Sequence, residues 1–251
     1  MSEAVPPGTA PLLSLQGIGK SFGSSQVLRG VDLDLWGGEC LGLVGDNGAG
    51  KSTLSKIMSG AYLPDDGRML LDGRTVLVKG PAEARALGIE MVYQDLSLCD
   101  TIDVAGNLFL GRELCRGGML DQRRMVAESR AMLDLLQIRI PNLAAKVAQL
   151  SGGQRQSIAI ARAASFGPRV LLLDEPTSAL AVAEVEAVLA LIGRVKAQGV
   201  AVVLVTHRLQ DLFRVCDRIA FMYEGTKTAE RLSAETNLEE VVQLIVGGAR
   251  H

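Results

Sequence analysis

Gly45-Asp46-Asn47-Gly48-Ala49-Gly50-Lys51-Ser52 carries glycine, lysine and hydroxyl residues at the spacing of a Walker A phosphate loop. Its three glycines let the backbone curl so that successive N–H groups point inward, and a helix opening at Lys51 adds the positive end of its dipole. On this reading Lys51 reaches the β- and γ-phosphates of a nucleoside triphosphate and Ser52 gives an oxygen to Mg²⁺. The flanks fit. Residues 39–44 read as an apolar strand entering the loop, and Leu54, Ile57 and Met58 form an apolar stripe on a helix that leaves it and stops at Gly60. A glycine-rich turn matching by accident would need neither flank.

Toward the C-terminus, Val170-Leu171-Leu172-Leu173 is a continuous apolar run of the kind that forms a buried parallel strand, and it ends in Asp174-Glu175. Val185, Val188, Leu189, Ile192 and Val195 then mark an amphipathic helix, Gly199 stops it, and residues 200–205 make the next buried strand, just ahead of His207. A right-handed βαβ crossover brings Asp174, Glu175 and His207 to the sheet edge that carries the phosphate loop. Asp174 is then placed to hold Mg²⁺, and Glu175 is the candidate base that polarises an attacking water. Adjacent acids at a strand end also occur as solvated turns, but the apolar strand and the phosphate loop favour chemistry. His207, with only His251 besides it, is placed to contact the γ-phosphate and orient Glu175 or the water.

Leu150-Ser151-Gly152-Gly153-Gln154 reads by itself as a helix N-terminus with a flexible cap, the helix running over 157–164, and its N–H groups form a second anion site. Residues 89–93 read as a strand that delivers Gln94, preceded by a short helix over 81–87 with proline in its first turn. Strand-like alternation at 12–16 and 31–35, with a hairpin of 68–71 and 75–78 through Asp72-Gly73, predicts an antiparallel β subdomain. Phe22 lies in the polar turn Lys20-Ser21-Phe22-Gly23 and is either a base-stacking platform or a core aromatic at a strand end. From about 95 to 165 helical periodicity takes over, with Asp121 capping a helix whose apolar face holds Met125, Met132, Leu133 and Leu136. A last helix, capped by Asn237, runs to Gly247-Gly248.

These elements predict an α/β fold: a P-loop core with a mostly parallel sheet, an N-terminal antiparallel β subdomain and an inserted helical subdomain at about 95–165, in one domain over 12–251 after a flexible tail at 1–11. A net charge of −2 and 4% aromatic content argue against a general nucleic-acid binder. Cys40, Cys99, Cys115 and Cys216 lie far apart without metal-ligand spacing and read as buried thiols in a reducing, cytoplasmic setting. The opening residues lack the apolar core of a signal peptide, and the apolar run at 200–205 is far short of the ~20 residues that span a bilayer, so a membrane role would be peripheral.

Taken together, the motifs resemble an ATP-binding-cassette ATPase over nearly the whole chain. The resemblance carries nucleotide contacts onto Gly45, Asn47, Gly48, Ala49, Gly50, Lys51, Ser52 and Thr53, adenine stacking onto Phe22, and a Q-loop role at metal and water onto Gln94. It puts the signature sequence at Ser151, Gly152, Gly153 and Gln154, Walker B with its catalytic glutamate at Asp174-Glu175, and the switch histidine at His207. It implies ATP and Mg²⁺ as ligands, with Ser52, Gln94 and Asp174 at the metal. It also implies a head-to-tail pair of such domains, a homodimer here, each ATP lying between one phosphate loop and the signature segment of the other copy. Gly80-Pro81-Ala82-Glu83-Ala84-Arg85 and the closing helix are similar to ATPase subunits of bacterial ribose, xylose and fructose importers. That branch implies membrane permease partners, an extracytoplasmic sugar-binding protein and a peripheral place on the cytoplasmic face of the inner membrane. Ala181 departs from the aspartate usual in the loop after Walker B, and Phe22 replaces the commoner tyrosine. The alternative, a soluble cassette protein acting on ribosomes or nucleic acid, usually has two cassettes in one chain or a long coiled-coil insertion. A GTPase is disfavoured by the lack of an Asn-Lys-x-Asp motif.

Overall fold

The computed structural model describes residues 10–247. Most of the expected tail, together with Gly248 and His251, lies outside the described residues.

The chain opens with a long hairpin, β1 (Leu13–Phe22) and β2 (Ser25–Leu35), whose buried Leu13, Leu15, Leu33 and Leu35 alternate with more exposed neighbours. Lys20, Ser21 and Phe22 are part of β1; the turn expected there falls one step later, at Gly23 with φ +59°. After it come β3 (Cys40–Gly45), α1 (Lys51–Met58), the hairpin β4 (Asp66–Leu71) and β5 (Arg74–Val76), α2 (Pro81–Ala86) and β6 (Ile89–Val92). The segment read as helical holds α3 (Val104–Leu108), α4 (Gln122–Leu135) and α5 (Gly152–Ala164), and also a small hairpin, β7 (Cys115–Arg116) with β8 (Met119–Leu120). Gly117 and Gly118 turn that hairpin at positive φ, which overrides the helical reading there. The chain closes with β9 (Val170–Asp174), α6 (Val182–Ala197), β10 (Ala201–Val205), α7 (Leu209–Val215), β11 (Arg218–Tyr223), β12 (Thr226–Leu232) and α8 (Leu238–Gly247).

Two sheets result. The antiparallel one runs β2-β1-β4-β5; the other runs β12-β11-β3-β10-β9-β6, parallel except for the edge strand β12. Strands of the second sheet bury both faces, as their continuous apolar runs require. On β9, Leu171 and Leu173 enter a core shared with α4, α5, α6 and α7, whereas Val170 and Leu172 enter one shared with α1 and the antiparallel sheet. Fully burying one such leucine stabilises by about 1.5–3 kcal/mol, so β9 is held from both sides.

Two features fix the sheets to each other. Arg218 is buried: its guanidinium donates to Glu39 Oε1 and Oε2 at 2.9 and 3.0 Å and to Asp34 O at 2.7 Å, pairs with Glu230, and stacks on Trp36 with 4.4 Å to the ring centroid. At the other end, the turn between β11 and β12 is wedged into the molecule. Gly225 N–H donates to Ala49 O (3.2 Å), Arg29 N–H donates to Gly225 O (2.8 Å), and a side chain at Gly225 would place its Cβ 2.4 Å from Val27 O. The cysteines separate into two kinds. Cys99 and Cys115 are at least partly exposed, whereas buried Cys40 and Cys216, far apart in sequence, meet with sulfurs 3.6 Å apart.

Candidate nucleotide site

β3 is central, with β10 and β11 on its flanks and β9 beyond β10, all parallel, so their carboxyl ends share one edge. Register aligns Val205 with both Leu43 and Asp174, and Met222 with Gly45. The phosphate loop, Asp174-Glu175 and Thr206-His207 therefore come together because their strands do.

The loop is shaped by contacts that only glycine tolerates. A Cβ at Gly45 (φ +150°) would lie 2.0 Å from Met222 O, and one at Gly50 (φ +97°) 2.6 Å from Leu28 Cδ2 and 3.0 Å from Val27 O. Gly48 (φ +85°) has no atom within 4 Å of its Cβ position, so there glycine serves the positive φ rather than a close approach. Gly50 caps α1 with no side-chain hydrogen bond, and no acidic residue stands in the first turn, which leaves the dipole end to an anion from outside. Lys51 Nζ reaches back to the carbonyls of Gly45 and Asp46 at 2.7 and 2.8 Å. Burial lowers its ammonium pKa, against the pull of Glu175, Asp46 and Asp174.

Asp174 is partly buried at the tip of β9, and burial raises its carboxyl pKa, helped by repulsion from Glu175 and opposed by a hydrogen bond from Ser52. A hydroxyl and a carboxylate, hydrogen-bonded to each other beside a second carboxylate, are hard oxygen donors that suit Mg²⁺. A cation there would relieve what burial and repulsion impose on Asp174. Among the described residues no three His, Cys, Asp or Glu converge on a metal-sized site; the oxygens of Ser52 and Asp174 are of the kind that suits the ion.

Glu175 adopts φ +51°, a left-handed conformation rare outside glycine, held by its N–H to Val205 O (2.8 Å) and by Ser178 Oγ donating to its carbonyl (2.9 Å). His207 Nδ1 lies 3.1 Å from Glu175 Oε1. Beneath them, Thr177 Oγ1 donates to buried Asp211 at 2.5 Å, and Arg208 lies 3.5 Å from the same carboxylate while donating to Thr177 O. The Asp211 group was not anticipated; an acidic residue in the first turn of α7 was its only signal in the sequence.

Other candidates stand apart from this cluster. Gln94 is exposed just past β6, and no hydrogen bond among the described residues joins it to Ser52, Asp174 or Glu175. Phe22 is 44% exposed, which excludes the core reading; its ring meets Tyr62 edge-on (5.2 Å between centroids) and lies under Lys20. Thr53 follows Ser52 on α1 and is partly buried. Ser151, Gly152, Gly153 and Gln154 open α5, which starts earlier than expected because Ser151 caps it: Gln154 N–H donates to Ser151 Oγ (3.3 Å) and Ser151 N–H to Gln154 Oε1 (3.0 Å). The cap is therefore ordered. Gly153 N–H donates to Glu184 Oε1 of α6 at 3.1 Å, a contact between residues 31 apart.

The ABC transporter family profile matches residues 28–178. The chain is 43% identical over 238 residues to the xylose/arabinose import ATP-binding protein of Sulfolobus acidocaldarius, covering 95% of each. It is 40% identical to the fructose import ATP-binding protein of Rhizobium meliloti, covering 94% of each chain. Against the ribose import ATP-binding protein of Chromobacterium violaceum identity is 43%, and the chain covers 47% of that protein, about half its length. Among solved structures it superposes on a nucleotide-free ATP-binding cassette from an ABC transporter with TM-score 0.82 at 25% identity, covering 94% of this chain and 96% of that one. A dimeric bacterial ABC transporter cassette matches with TM-score 0.74 at 26% identity, over 88% and 98% of the two chains.

Proposed function

Because the chain belongs to the ABC transporter family as an ATP-binding cassette, we propose that it is the ATP-hydrolysing subunit of a monosaccharide importer, working as a pair with a second copy and bound to a membrane permease. The observation that carries the chemistry is the convergence of the phosphate loop, Asp174, Glu175 and His207 on one sheet edge, with His207 Nδ1 3.1 Å from Glu175 Oε1.

In this reading ATP is the substrate. The loop N–H groups from Gly45 to Thr53 and the Lys51 ammonium hold its phosphates, a positioning and electrostatic task. Phe22, exposed at the end of β1, offers its ring face to adenine. Mg²⁺, held by Ser52 and Asp174 with Gln94 alongside, would supply positive charge against that developing on the transferred phosphoryl oxygens. Glu175 accepts the proton of the attacking water. His207 stands beside the Glu175 carboxylate through Nδ1; as an imidazolium both its ring nitrogens donate, so it can fix Glu175 with one and bond the γ-phosphate with the other.

Coupling to a permease has a physical route. A cavity of ≈ 350 Å³ lies between β6 and α5, lined by Glu90, Tyr93, Leu110, Arg112 and Arg162 among others. Arg112 pairs with Glu90 and stacks on Phe166. Arg162 of α5 donates to the carbonyls of Leu96 and Ser97 at 2.9 and 2.8 Å, so the segment just after Gln94 is tied to the helix that Ser151 opens. A permease element seated in this cavity would feel both. No helix among the described residues is long and apolar enough to cross a membrane, consistent with peripheral attachment at the cytoplasmic face. The sugar is delivered by an extracytoplasmic binding protein. The identities to xylose/arabinose, ribose and fructose import proteins support the monosaccharide class.

The test is to purify the tagged chain from membranes, identify the permease that accompanies it, and measure ATP hydrolysis in the reconstituted complex with a panel of pentoses and hexoses. One monosaccharide, presented by its binding protein, should stimulate turnover severalfold. Copurification with ribosomes instead of a permease would overturn the reading.

A further inference from the structure

Glu184 stands in the first turn of α6, yet its carboxylate serves α5. Oε1 accepts from Gly153 N–H at 3.1 Å, Oε2 accepts from Ala181 N–H at 3.2 Å, and the Ser151 hydroxyl also bonds it. These donors, Ser151 first, hold the Glu184 carboxyl below the usual carboxylate range. Contact is close enough to dictate sequence: a Cβ at Gly153 would lie 2.7 Å from both Cβ and Cγ of Glu184. The first-turn N–H of Gly153 and the Ser151 hydroxyl are thus engaged by an anion from the same chain. A helix N-terminus favours such a charge, and a carboxylate on backbone N–H groups makes charge-assisted hydrogen bonds.

We propose that Glu184 is an internal competitor for the triphosphate that the second copy brings to α5, and so sets the ATP concentration at which two copies close. The proposal rests on the paired reading above. In that pairing the incoming phosphate seeks the Ser151 hydroxyl and the Gly153 N–H, the two α5 donors that Glu184 holds. Two anions at one helix end repel, so Glu184 has to yield those donors as the phosphate arrives. In the cap Ser151 Oγ accepts from Gln154 N–H and Gln154 Oε1 accepts from Ser151 N–H, so the cap does not use the hydroxyl's own hydrogen and survives the exchange. Ala181 gives the competition a second consequence. It has no side-chain oxygen to cap α6, so Glu184 reaching back to Ala181 N–H is what fixes the start of that helix. If the whole carboxylate swings away, Oε2 leaves Ala181 N–H as well, which loosens the end of the 177–181 loop that follows Glu175.

The experiment measures ATP-driven self-association of a Glu175→Gln chain, in which hydrolysis is blocked, by sedimentation over a range of Mg·ATP concentrations, with and without Glu184→Gln. Affinity of the isolated chain for a fluorescent ATP analogue is the reference for the phosphate loop. Removing the competing charge should lower the half-point of association by about three- to tenfold, while the reference affinity stays the same. Glu184→Asp keeps the charge but withdraws it by one methylene. It should shift the half-point the same way by less, and serves if the glutamine variant does not fold. An unchanged or higher half-point overturns the role of Glu184. If the Glu175→Gln chain does not associate in ATP with Glu184 intact, the paired reading falls and this proposal falls with it.

Discussion

At the N-terminus of α1 the backbone is contorted and no side chain caps it; at the N-terminus of α5 the backbone is ordinary and side chains take its donors. Gly45, Gly48 and Gly50 all hold positive φ around α1, Lys51 turns onto the loop's own carbonyls, and the first turn has no acid. Around α5, Ser151 and Gln154 cap each other and Glu184 sits on Gly153. The difference teaches that a glycine-rich helix start has two uses. In α1, on the proposed function, glycine lets the chain wrap round a phosphate; in α5 Gly153 lets a carboxylate of the same chain come close. Glycine content alone does not distinguish them; the neighbours do.

Three substitutions probe this contrast. The largest effect is expected from Glu175→Gln, which leaves both helix ends intact and removes the base: phosphate release should fall about 10²–10⁴-fold with ATP binding retained, as single-turnover and equilibrium titrations will show. Comparable turnover would mean that the sheet edge binds but does not catalyse. Next comes Lys51→Ala, which attacks the α1 end alone. Losing a charged hydrogen-bond donor of about 1.5–3 kcal/mol should weaken nucleotide binding about 10- to 100-fold, read by fluorescent-nucleotide titration, with the thermal midpoint of the nucleotide-free chain little changed. Smallest is Gly153→Ala, aimed at the α5 end. Its methyl group would collide with Glu184, and overpacking of this kind costs about 1–3 kcal/mol. Differential scanning calorimetry should show a lowered midpoint, restored in large part when Glu184→Ala is added. If the single substitution is silent, the close approach is not what requires glycine.

Much of the fold was legible because its signals are local. The apolar runs of β3, β9 and β10, the stop at Gly199 and the caps at Asp121 and Asn237 each declare themselves within a few residues. A right-handed crossover with parallel strands then brings Asp174, Glu175 and His207 to the sheet edge of the phosphate loop, whereas the order that places β3 between β10 and β11 is not given by that rule. Illegible features are long-range or mixed in pattern. β12 pairs on one side only, and its residues are almost all half-buried, so neither alternation nor a continuous apolar run marks it. Cys40 and Cys216 meet across 176 residues, and Glu184 reaches Gly153 from another helix. The hairpin at 115–120 did carry a signal, Gly117-Gly118, but helical periodicity on either side masked it.

The wedged turn at Gly225 has a practical corollary for anyone wishing to cut, label or lengthen this chain. Hairpin tips are ordinarily the safest places for a foreign segment, and the tip between β11 and β12 would be chosen by that rule. Here it is a poor choice: Gly225 is bonded to Ala49 on one side and Arg29 on the other, so an insertion would pry the phosphate loop from β2. The Gly117-Gly118 tip, where neither glycine has an atom within 4 Å of its Cβ position, is the permissive site for a fluorophore or an inserted tag.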